Sequence, residues 1–279
     1  MQFRDDLGRS LRLEAPPRRI VSLCPSQTET LFALGLGEQI VGVTRYCIHP
    51  SAKERFSPSP LWGGVGEGVE TKTKVGGTKQ LDFTAIAQLE PDLIIAEKEE
   101  NRREDVERLS ERWPVFVTDV SDIEAALRMI GTLGSLCDRA READQLAQEI
   151  AGRWAPLRPA LRPATKSPRT LYLIWRKPYM AAGTGSYIHS VLQRCGFTNV
   201  IAKPRYPELT LAEMQQTDPE LILLSSEPYP FAQRHVEELA AHLPQARIEL
   251  VDGEMFSWYG VRMLKAADYL PELVSKLAD

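Results

Sequence analysis

Cys47 and His49 stand two residues apart in segment 45–50, which follows the apolar run Ile40–Val43. A thiolate and a neutral imidazole can both ligate cobalt, iron or zinc, which makes this pair a candidate metal site. Two ligands are fewer than the four of a closed zinc site. Two other readings stay open: both side chains, with Tyr46, line a ligand pocket without bonding metal, or the histidine hydrogen-bonds to backbone.

A second group of candidates follows the apolar run Leu171–Ile174. Trp175, Arg176 and Tyr179 lie in what should be an exposed loop, where a tryptophan is unusual. A flat aromatic surface suits the face of a corrin or porphyrin. The alternative is a tryptophan that closes the top of a hydrophobic core. We expect these three side chains to line a ligand pocket.

Acidic and aromatic residues cluster near the end of the chain. Glu254, Phe256, Trp258 and Tyr259 occupy a segment flanked by glycines. Several aromatics in such a loop are typical of a binding surface rather than of a core. We expect all four to contact ligand.

The segment 97–101 carries the charge run Glu-Lys-Glu-Glu-Asn directly after a predicted strand. A charge run is usually a solvated surface. At the carboxyl end of a strand, however, Glu99, Glu100 and Asn101 are placed to receive amide groups or a cation. They are therefore secondary candidates for ligand binding.

Composition limits the classes of function. The 279 residues are 43% hydrophobic and 26% charged, as in soluble globular proteins, and the net charge is −4, so no basic excess favours nucleic acid. No apolar stretch of about 18 residues predicts a membrane span. No H-E-x-x-H or G-x-S-x-G motif indicates a hydrolase, and no cofactor is indicated. We predict a monomer without catalytic residues.

Alternation of apolar strands with helices predicts an α/β fold with parallel sheets covered on both faces. The pattern occurs twice: residues 85–96 and 212–224 each read as a helix, a proline, an acidic residue and an apolar strand. We predict two Rossmann-like lobes, 1–120 and 164–279, joined by one long backbone helix over 121–163, with a ligand crevice between the lobes. The Gly- and Pro-rich residues 56–73 are predicted to be a flexible insertion.

The chain resembles the helical-backbone (class III) substrate-binding proteins that serve import of vitamin B12, haem and iron siderophores. The similarity covers about residues 17–275 and is carried by the segments 19–26, which includes Ser26, 35–37, 41–44, 75–77 and 89–94. It implies a non-catalytic receptor for a bulky metal chelate, with a corrinoid favoured because the B12-binding branch looks most similar. It also implies that Ser26 and an aromatic near Trp175 line the pocket and that Glu254 accepts hydrogen bonds from chelate amides.

The resemblance leaves two other ligand assignments open. The same fold serves haem and ferric-siderophore receptors, although Arg45 and Arg176 are the obvious cations for an anionic siderophore and the acidic run 97–100 opposes them. A protein of another class, a cytoplasmic metal-binding protein or metalloenzyme, would use Cys47 and His49.

Two departures from the family pattern bear on partner and compartment. Members that dock on an ABC permease carry a glutamate on each lobe, whereas the matching positions here hold Thr84 and Ala212, with Asp82 and Glu213 nearby. The N-terminal residues also lack the apolar stretch of a signal peptide. We therefore expect a cytoplasmic protein of a signal-less subgroup, with a periplasmic location as the alternative if a signal sequence was removed.

Overall fold

A computed structural model describes residues 1–51, 68–157 and 167–278 of the chain. The chain divides into two compact units. Unit 1 comprises Met1–Asp119, Ala125–Glu149 and Tyr259–Arg262, and unit 2 comprises Val120–Glu124, Ile150–Trp258 and Met263–Asp279. No helix within the described ranges is long and apolar enough to cross a membrane.

Unit 1 is built around a parallel sheet. Its strands are β1 (Gln2–Arg4), β2 (Ser10–Arg12), β3 (Ile20–Ser22), β4 (Ile40–Val43), β5 (Thr73–Lys74), β6 (Gly76–Gly77), β7 (Gln80–Leu81), β8 (Leu93–Glu97) and β9 (Val115–Thr118). The sheet order is β5-β4-β3-β8-β9, with every pair parallel. β3, β8 and β9 are buried along their whole length, as expected of strands covered on both faces. The pairs β1–β2 and β6–β7 form antiparallel hairpins.

Ten helices accompany the strands in the described ranges. They are α1 (Pro25–Ala33), α2 (Phe83–Gln88), α3 (Arg103–Ser110), α4 (Ile123–Leu136), α5 (Ala140–Trp154), α6 (Tyr187–Arg194), α7 (Leu211–Gln216), α8 (Gln233–His242), α9 (Glu254–Ser257) and α10 (Met263–Ala278). Short 3-10 turns occupy Val69–Thr71, Ala155–Leu157 and Gly260–Arg262.

Unit 2 contains a mixed sheet. Its strands are β10 (Arg169–Trp175), β11 (Tyr179–Ala181), β12 (Thr198–Asn199), β13 (Glu208–Leu209), β14 (Leu221–Ser225) and β15 (Arg247–Val251), in the order β13-β11-β10-β14-β15, with β12 also on β10. β10, β14 and β15 are parallel, but β11 pairs antiparallel with both β10 and β13. The connection from β10 to β11 is too short for the crossover that a parallel neighbour needs. The sheet of unit 2 is therefore mixed, whereas the sequence predicted a parallel sheet.

The predicted sequence repeat is a repeat of structure. The Arg19 guanidinium donates to the Leu89 carbonyl at the end of α2, and the Arg169 guanidinium donates to the Thr217 carbonyl at the end of α7. These cations satisfy carbonyl groups that a helix C-terminus leaves without partners.

Acidic residues complete each repeat. The Asp92 carboxylate accepts from the Arg19 amide at 2.9 Å, and the Glu220 carboxylate accepts from the Arg169 amide at 2.8 Å. Glu90 and Asp218, which precede the two prolines, both have φ of 43°. An arginine and an acidic residue at corresponding positions therefore join helix to strand in each unit.

The single helix predicted across 121–163 is two helices in the structure, α4 and α5. They are separated by Cys137–Arg139, where Asp138 has φ of 57° and the Arg139 amide donates to the Gly134 carbonyl at 2.7 Å. A Cβ at Gly134 would lie 2.3 Å from that of Ala143, so glycine lets the second helix turn back closely on the first. Residues 158–163 lie outside the described ranges.

The predicted flexible insertion at 56–73 is described only from residue 68. There Val69 is buried within a 3-10 turn, and its amide donates to the Pro50 carbonyl at 3.0 Å. Thr73 begins β5. The end of this segment is thus ordered, because Val69 packs into unit 1, and residues 56–67 lie outside the described part of the chain.

Candidate functional site

The predicted binding residues follow the carboxyl ends of parallel strands, where ligands bind in open α/β sheets. In unit 1 they occupy the start of α1 and the loops 44–50 and 98–101, which we call the unit 1 face. In unit 2 they occupy residues 175–179 and 254–258. We call the loops 175–178, 226–231 and 252–258 the unit 2 face, although the sequence predicted no binding residue in 226–231. Each face is described separately below.

Cys47 is a buried anchor of loop 44–50 rather than an exposed ligand. Only 1% of its surface is exposed, and its Sγ lies 3.1 Å from Thr28 Oγ1 and 3.2 Å from Thr44 Oγ1. Burial raises the pKa of the Cys47 thiol, which disfavours the thiolate that binds metal. The thiol therefore fixes the loop by hydrogen bonds.

The side chains on either side of Cys47 are exposed. Tyr46 is 54% and Ile48 51% exposed, and the Arg45 guanidinium lies 5.8 Å from the Tyr46 ring centroid. A Cβ at Gly77 would lie 3.2 Å from both Arg45 and Tyr46, so glycine admits these side chains close to the backbone. Tyr46 thus presents an accessible aromatic surface, and its role in a ligand pocket stays a prediction.

The structure does not assemble a metal site around Cys47 and His49. His49 is partly buried two residues from the enclosed thiol. Within residues 1–51, 68–157 and 167–278, no group of three or more His, Cys, Asp or Glu side chains could hold a metal ion. The predicted pair therefore lacks supporting ligands in the described ranges.

Asn101 is a structural centre of the unit 1 face. Its side chain is buried, with Nδ2 donating to the Leu23 carbonyl at 3.3 Å and the Thr78 carbonyl at 3.1 Å. Its Oδ1 accepts from the Glu97 amide at 2.8 Å. All three bonds are to backbone groups, so the Asn101 side chain joins three chain segments. Its amide group is therefore occupied, whereas the sequence predicted that it would bind a ligand.

Glu97, which sequence reasoning did not single out, holds the same loop from the other side. Its Oε2 accepts from the amides of Glu99 at 2.6 Å and Glu100 at 2.8 Å. Burial, opposed by these hydrogen bonds, raises the pKa of Glu97 to about 7. Glu100 is exposed and Glu99 partly so, which leaves their side chains accessible as predicted.

Ser26 and Tyr259 are buried in unit 1. Ser26 is the second residue of α1, which begins after Cys24 without a side-chain cap. The Tyr259 hydroxyl lies 3.7 Å from Cys24 Sγ. Burial is the largest cause that raises the pKa of the Cys24 thiol and the pKa of the Tyr259 hydroxyl. The structure therefore places Tyr259 in packing, against the prediction of an exposed loop aromatic.

An aromatic group dominates the unit 2 face. Trp175 is 39% exposed and meets Tyr229 edge to face, with ring centroids 5.7 Å apart. Tyr229 packs in turn against Phe231 at 4.8 Å and His235 at 5.4 Å. The Trp175 ring thus packs against Tyr229 while part of its surface remains accessible. Trp175 is the last residue of β10 rather than part of the loop after it, but its exposure agrees with the prediction.

His235 holds this aromatic group in place. Its Nδ1 lies 2.9 Å from the Ala232 amide nitrogen at the start of α8, and its Nε2 lies 3.3 Å from Arg234 Nε. Nε2 lies 3.2 Å from the Tyr229 hydroxyl. Burial, then the charges of Arg234 and Arg176, lowers the pKa of His235. The neutral imidazole therefore links the helix start to Tyr229.

Arg176, on the unit 2 face, is already paired with an acidic residue. Arg176 Nη2 lies 2.8 and 2.7 Å from the two carboxylate oxygens of Glu238, and the Tyr179 hydroxyl donates to the same carboxylate at 3.1 Å. The Arg176 guanidinium, more than any other group, lowers the pKa of Glu238. Arg176 and Tyr179 therefore support the loop, and little of the arginine's charge is left for an anionic ligand.

The segment 254–258 is packed rather than open, contrary to prediction. Phe256 is fully buried, with its ring centroid 5.0 Å from that of Tyr172. Trp258 is buried and its Nε1 donates to Glu227 Oε1 at 2.7 Å. Sequence analysis missed this because the short helix α9 turns the aromatics inward. Glu254 remains partly exposed.

Glu227 is a partly buried carboxylate that the sequence pattern did not indicate. Its Oε1 also accepts from Ser257 Oγ at 2.6 Å, and burial raises its pKa, with the nearby charges of Glu254 and Asp252 acting in the same direction. The signal that could have found Glu227 and Tyr229 is their place directly after an apolar strand. Glu97 also lies at a strand end, as the last residue of β8.

The two positions at which the resemblance led us to expect a docking glutamate are exposed second residues of α2 and α7, and they hold Thr84 and Ala212. The adjacent acids have other roles. Asp82 caps α2 by accepting from the Ala85 amide at 2.9 Å. Glu213 completes a capping box with Thr210 and pairs with Lys203 at 3.0 Å, which together lower its pKa to about 2. Neither acid replaces an outward-facing glutamate.

A cavity of about 440 Å³ lies beside loop 98–101 in unit 1 and shares Lys98 and Asn101 with the unit 1 face. Three of its lining side chains are cationic, and each is paired: Arg9 with Asp5, Lys98 with Asp119, and Arg103 with Glu107. The lining residues are Leu7, Arg9, Lys98, Asn101, Arg103, Val106, Glu107 and Val117.

Comparison with known proteins places this geometry in a family. The family model described as periplasmic binding protein matches residues 20–247. The vitamin B12-binding protein of Yersinia pestis (strain Pestoides F) is 24% identical over 266 residues, covering 93% of this chain and 87% of that protein.

Solved structures share the fold. The periplasmic vitamin B12-binding protein of Vibrio cholerae superposes with a TM-score of 0.73 at 20% identity, covering 93% of this chain and 97% of that one. A periplasmic haem-binding protein from Roseiflexus sp. RS-1 gives 0.74 at 20% identity, covering 92% and 96%. The predicted two-lobed α/β fold and the prediction of a binding protein rather than an enzyme are confirmed, and the chain belongs to the periplasmic binding protein family.

Proposed function

We propose that this protein binds a bulky metal chelate, with a corrinoid as the favoured ligand, and releases it unchanged. The observation that carries the proposal is the unit 2 face, where Trp175 is exposed and supported by Tyr229. A supported, partly accessible indole offers a flat apolar surface without the cost of ordering a mobile side chain. Such a surface matches a planar macrocycle.

The charges of the two faces favour a corrinoid over an anionic siderophore. Arg176 is neutralised by Glu238, and the unit 1 face carries the acidic side chains of Glu99 and Glu100. Carboxylates accept hydrogen bonds from the amide groups that surround a corrin ring. They repel the anionic groups of many siderophores. Arg45 on the unit 1 face and Lys177 on the unit 2 face are exposed cations that would favour an acidic ligand.

Haem is the alternative that the same aromatic surface allows. Both the B12-binding and the haem-binding proteins named above share the fold, at 20% identity. A haem carries two propionates, which require cations or donor groups at the site. The acidic loop 98–101 supports the corrinoid for this reason. In either case the chelate is the ligand and not a cofactor.

The partner that we propose is an ABC permease engaged without paired glutamates. A related structure is described as an ABC transporter substrate-binding protein from Listeria monocytogenes. At the corresponding surface Thr84 and Ala212 are exposed and uncharged. Docking here would therefore rely on contacts other than two glutamate ion pairs.

Isothermal titration calorimetry with four chelates tests the ligand assignment. The purified protein is titrated with hydroxocobalamin, cobinamide, haemin and a ferric hydroxamate siderophore. We expect micromolar or tighter binding, about −8 kcal/mol or better, for the corrinoids alone. Binding of haemin or the siderophore alone would replace the corrinoid with that ligand, and no heat with any of the four would overturn the chelate proposal.

Trp175→Ala is the variant that locates the binding surface, and Trp113→Ala is its matched control. Trp113 is a partly buried tryptophan that packs against the core cluster of unit 1. We expect Trp175→Ala to weaken corrinoid binding by about tenfold, from lost aromatic contact, and Trp113→Ala to leave affinity unchanged. Equal affinity of Trp175→Ala and wild type would remove the unit 2 face from the site.

A further inference from the structure

We propose that Glu97 is a positioning residue of the unit 1 face, whose carboxylate sets the loop 98–101 and whose protonation loosens that loop and weakens ligand binding. The inference rests on the proposed function, because it concerns how the same face holds its ligand. Glu97 does not present its own carboxylate to the ligand. It acts through the backbone of Glu99 and Glu100.

The geometry of the loop is reciprocal. The Glu97 carboxylate accepts from the amides of Glu99 at 2.6 Å and Glu100 at 2.8 Å, and its own amide donates to Asn101 Oδ1 at 2.8 Å. The Asn101 amide donates back to the Glu97 carbonyl at 2.9 Å. Four hydrogen bonds thus close a loop of three residues, and two of them depend on one carboxylate.

The charge state of Glu97 decides the strength of those two bonds. A carboxylate accepts N–H bonds that are about twice as strong as those to a neutral acceptor. Glu97 is 3% exposed, and burial brings its pKa to about 7 despite the amide donors. Both charge states are therefore populated near neutral pH. Protonation exchanges two charge-assisted bonds for two weaker ones.

The groups that face Glu97 come from three elements. Glu99 and Glu100 lie on its own loop, the Cys24 thiol lies at the start of α1, and the Tyr259 hydroxyl lies in the segment before the 3-10 turn 260–262. Burial raises the pKa of Cys24 and of Tyr259 well above their usual values, so both stay neutral where Glu97 titrates. Among these facing groups, Glu99 and Glu100 carry the charge that opposes ionisation.

The sign of the stability effect follows from the direction of the pKa shift. The folded-state pKa of Glu97 lies above the unfolded value of about 4.3. Between these values the folded chain binds a proton that the unfolded chain does not, so ionisation of Glu97 lowers stability as pH rises. Glu97→Gln should remove this part of the pH dependence. A group that is ionised at the expense of stability is typical of a binding site.

The test measures the affinity for cyanocobalamin at pH 6, 7 and 8 by calorimetry in wild type and Glu97→Gln. Cyanocobalamin is chosen because its capped cobalt exchanges no proton in this range. We expect wild-type affinity to rise roughly threefold to tenfold from pH 6 to 8, as two bonds become charge-assisted. Glu97→Gln should bind with the pH 6 affinity throughout. Glu104→Gln, on the exposed start of α3, is the control and should follow wild type.

A ligand-free measurement separates failure of this inference from failure of the proposed function. The amide proton shifts of Glu99 and Glu100 are followed by NMR from pH 5 to 9, and both should titrate with a midpoint near 7 in wild type and stay constant in Glu97→Gln. If no chelate binds, the proposed function fails and the amide titration still decides the role of Glu97. Amides that do not titrate, or a Glu97→Gln affinity profile equal to wild type, would overturn the inference.

Discussion

At the scale of single residues, a buried ion pair fixes the segment 259–262 of unit 1. Arg262 Nη2 lies 2.7 Å from Glu29 Oε1, and Nε donates to Oε2 at 3.0 Å. Both side chains are almost fully buried, at 3% and 1% exposure. A two-point contact of this kind satisfies both charges away from water. Removing one partner leaves the other charge buried without compensation.

Arg262→Met is therefore expected to lower the free energy of unfolding by about 3–5 kcal/mol. Urea denaturation followed by circular dichroism measures the change. Arg103→Ala is the control, because Arg103 and its partner Glu107 are both exposed and such a pair contributes less than about 1 kcal/mol. The double variant Glu29→Leu, Arg262→Met should recover much of the loss. Equal stability of Arg262→Met and wild type would show that this pair carries no net energy.

The four cysteines are expected to be unreactive in the folded protein. Cys24, Cys47, Cys137 and Cys195 are free and buried. Burial raises the pKa of Cys137 and Cys195 to about 12 and also that of Cys24 and Cys47, so little thiolate forms at pH 8. A thiol reagent such as Ellman's should detect four thiols in denaturant and almost none without it. Rapid labelling of Cys47 in the native state would contradict its role as a loop anchor.

At the scale of elements, the turn before α10 fits closely against α1. Gly260 has φ of 77°, and a Cβ there would lie 2.0 Å from Thr30 Oγ1. The Val261 amide donates to the same hydroxyl at 3.2 Å. Glycine is thus required at this position by both backbone conformation and space.

Gly260→Ala and Gly35→Ala separate these two requirements. Gly35 has the same φ of 77°, but nothing lies within 4 Å of a Cβ there. We expect Gly35→Ala to cost about 1–2 kcal/mol from the left-handed backbone alone. Gly260→Ala should cost more, by roughly 1–3 kcal/mol of overpacking. Equal losses in thermal or urea unfolding would mean that the turn can move away from α1 freely.

Helix starts explain the roles of the acids near Thr84 and Ala212. Asp82 caps α2, so Asp82→Ala is expected to cost about 1 kcal/mol of stability. Thr84→Ala, two residues on at an exposed site, should change stability by less than about 0.5 kcal/mol. Urea unfolding compares the two variants. A neutral Asp82→Ala would mean that its carboxylate is available for another partner.

Element patterns in the sequence predicted the fold well because apolar strands and the repeated helix–proline–strand unit are local signals. They placed Trp175, Tyr46 and Glu100 correctly at strand ends. They failed for Phe256, Trp258 and Tyr259, because whether an aromatic residue faces inward depends on tertiary packing. They also missed the break at Asp138, where the close contact of Gly134 with Ala143 joins two helices that the apolar stripe merges into one.

At the scale of the whole molecule, two similar α/β units each carry a face of strand-end loops held by internal hydrogen bonds. In unit 1 these bonds centre on Asn101 and Glu97, and in unit 2 on Glu227 and Glu238. Preformed loops bind with less loss of conformational entropy than mobile ones. The loops of both faces are therefore preformed, which agrees with membership of a family of binding proteins.

Hydrogen–deuterium exchange with and without saturating hydroxocobalamin tests this account most directly, because it shows both whether a corrinoid binds and where. We predict slower amide exchange in the loops 44–50, 98–101, 175–178 and 226–231 when the ligand is bound. Exchange of the exposed residues of α3 and α8 should be the same with and without the ligand. Unchanged exchange in all four loops, or protection confined to residues outside them, would contradict the proposed role of these loops in corrinoid binding.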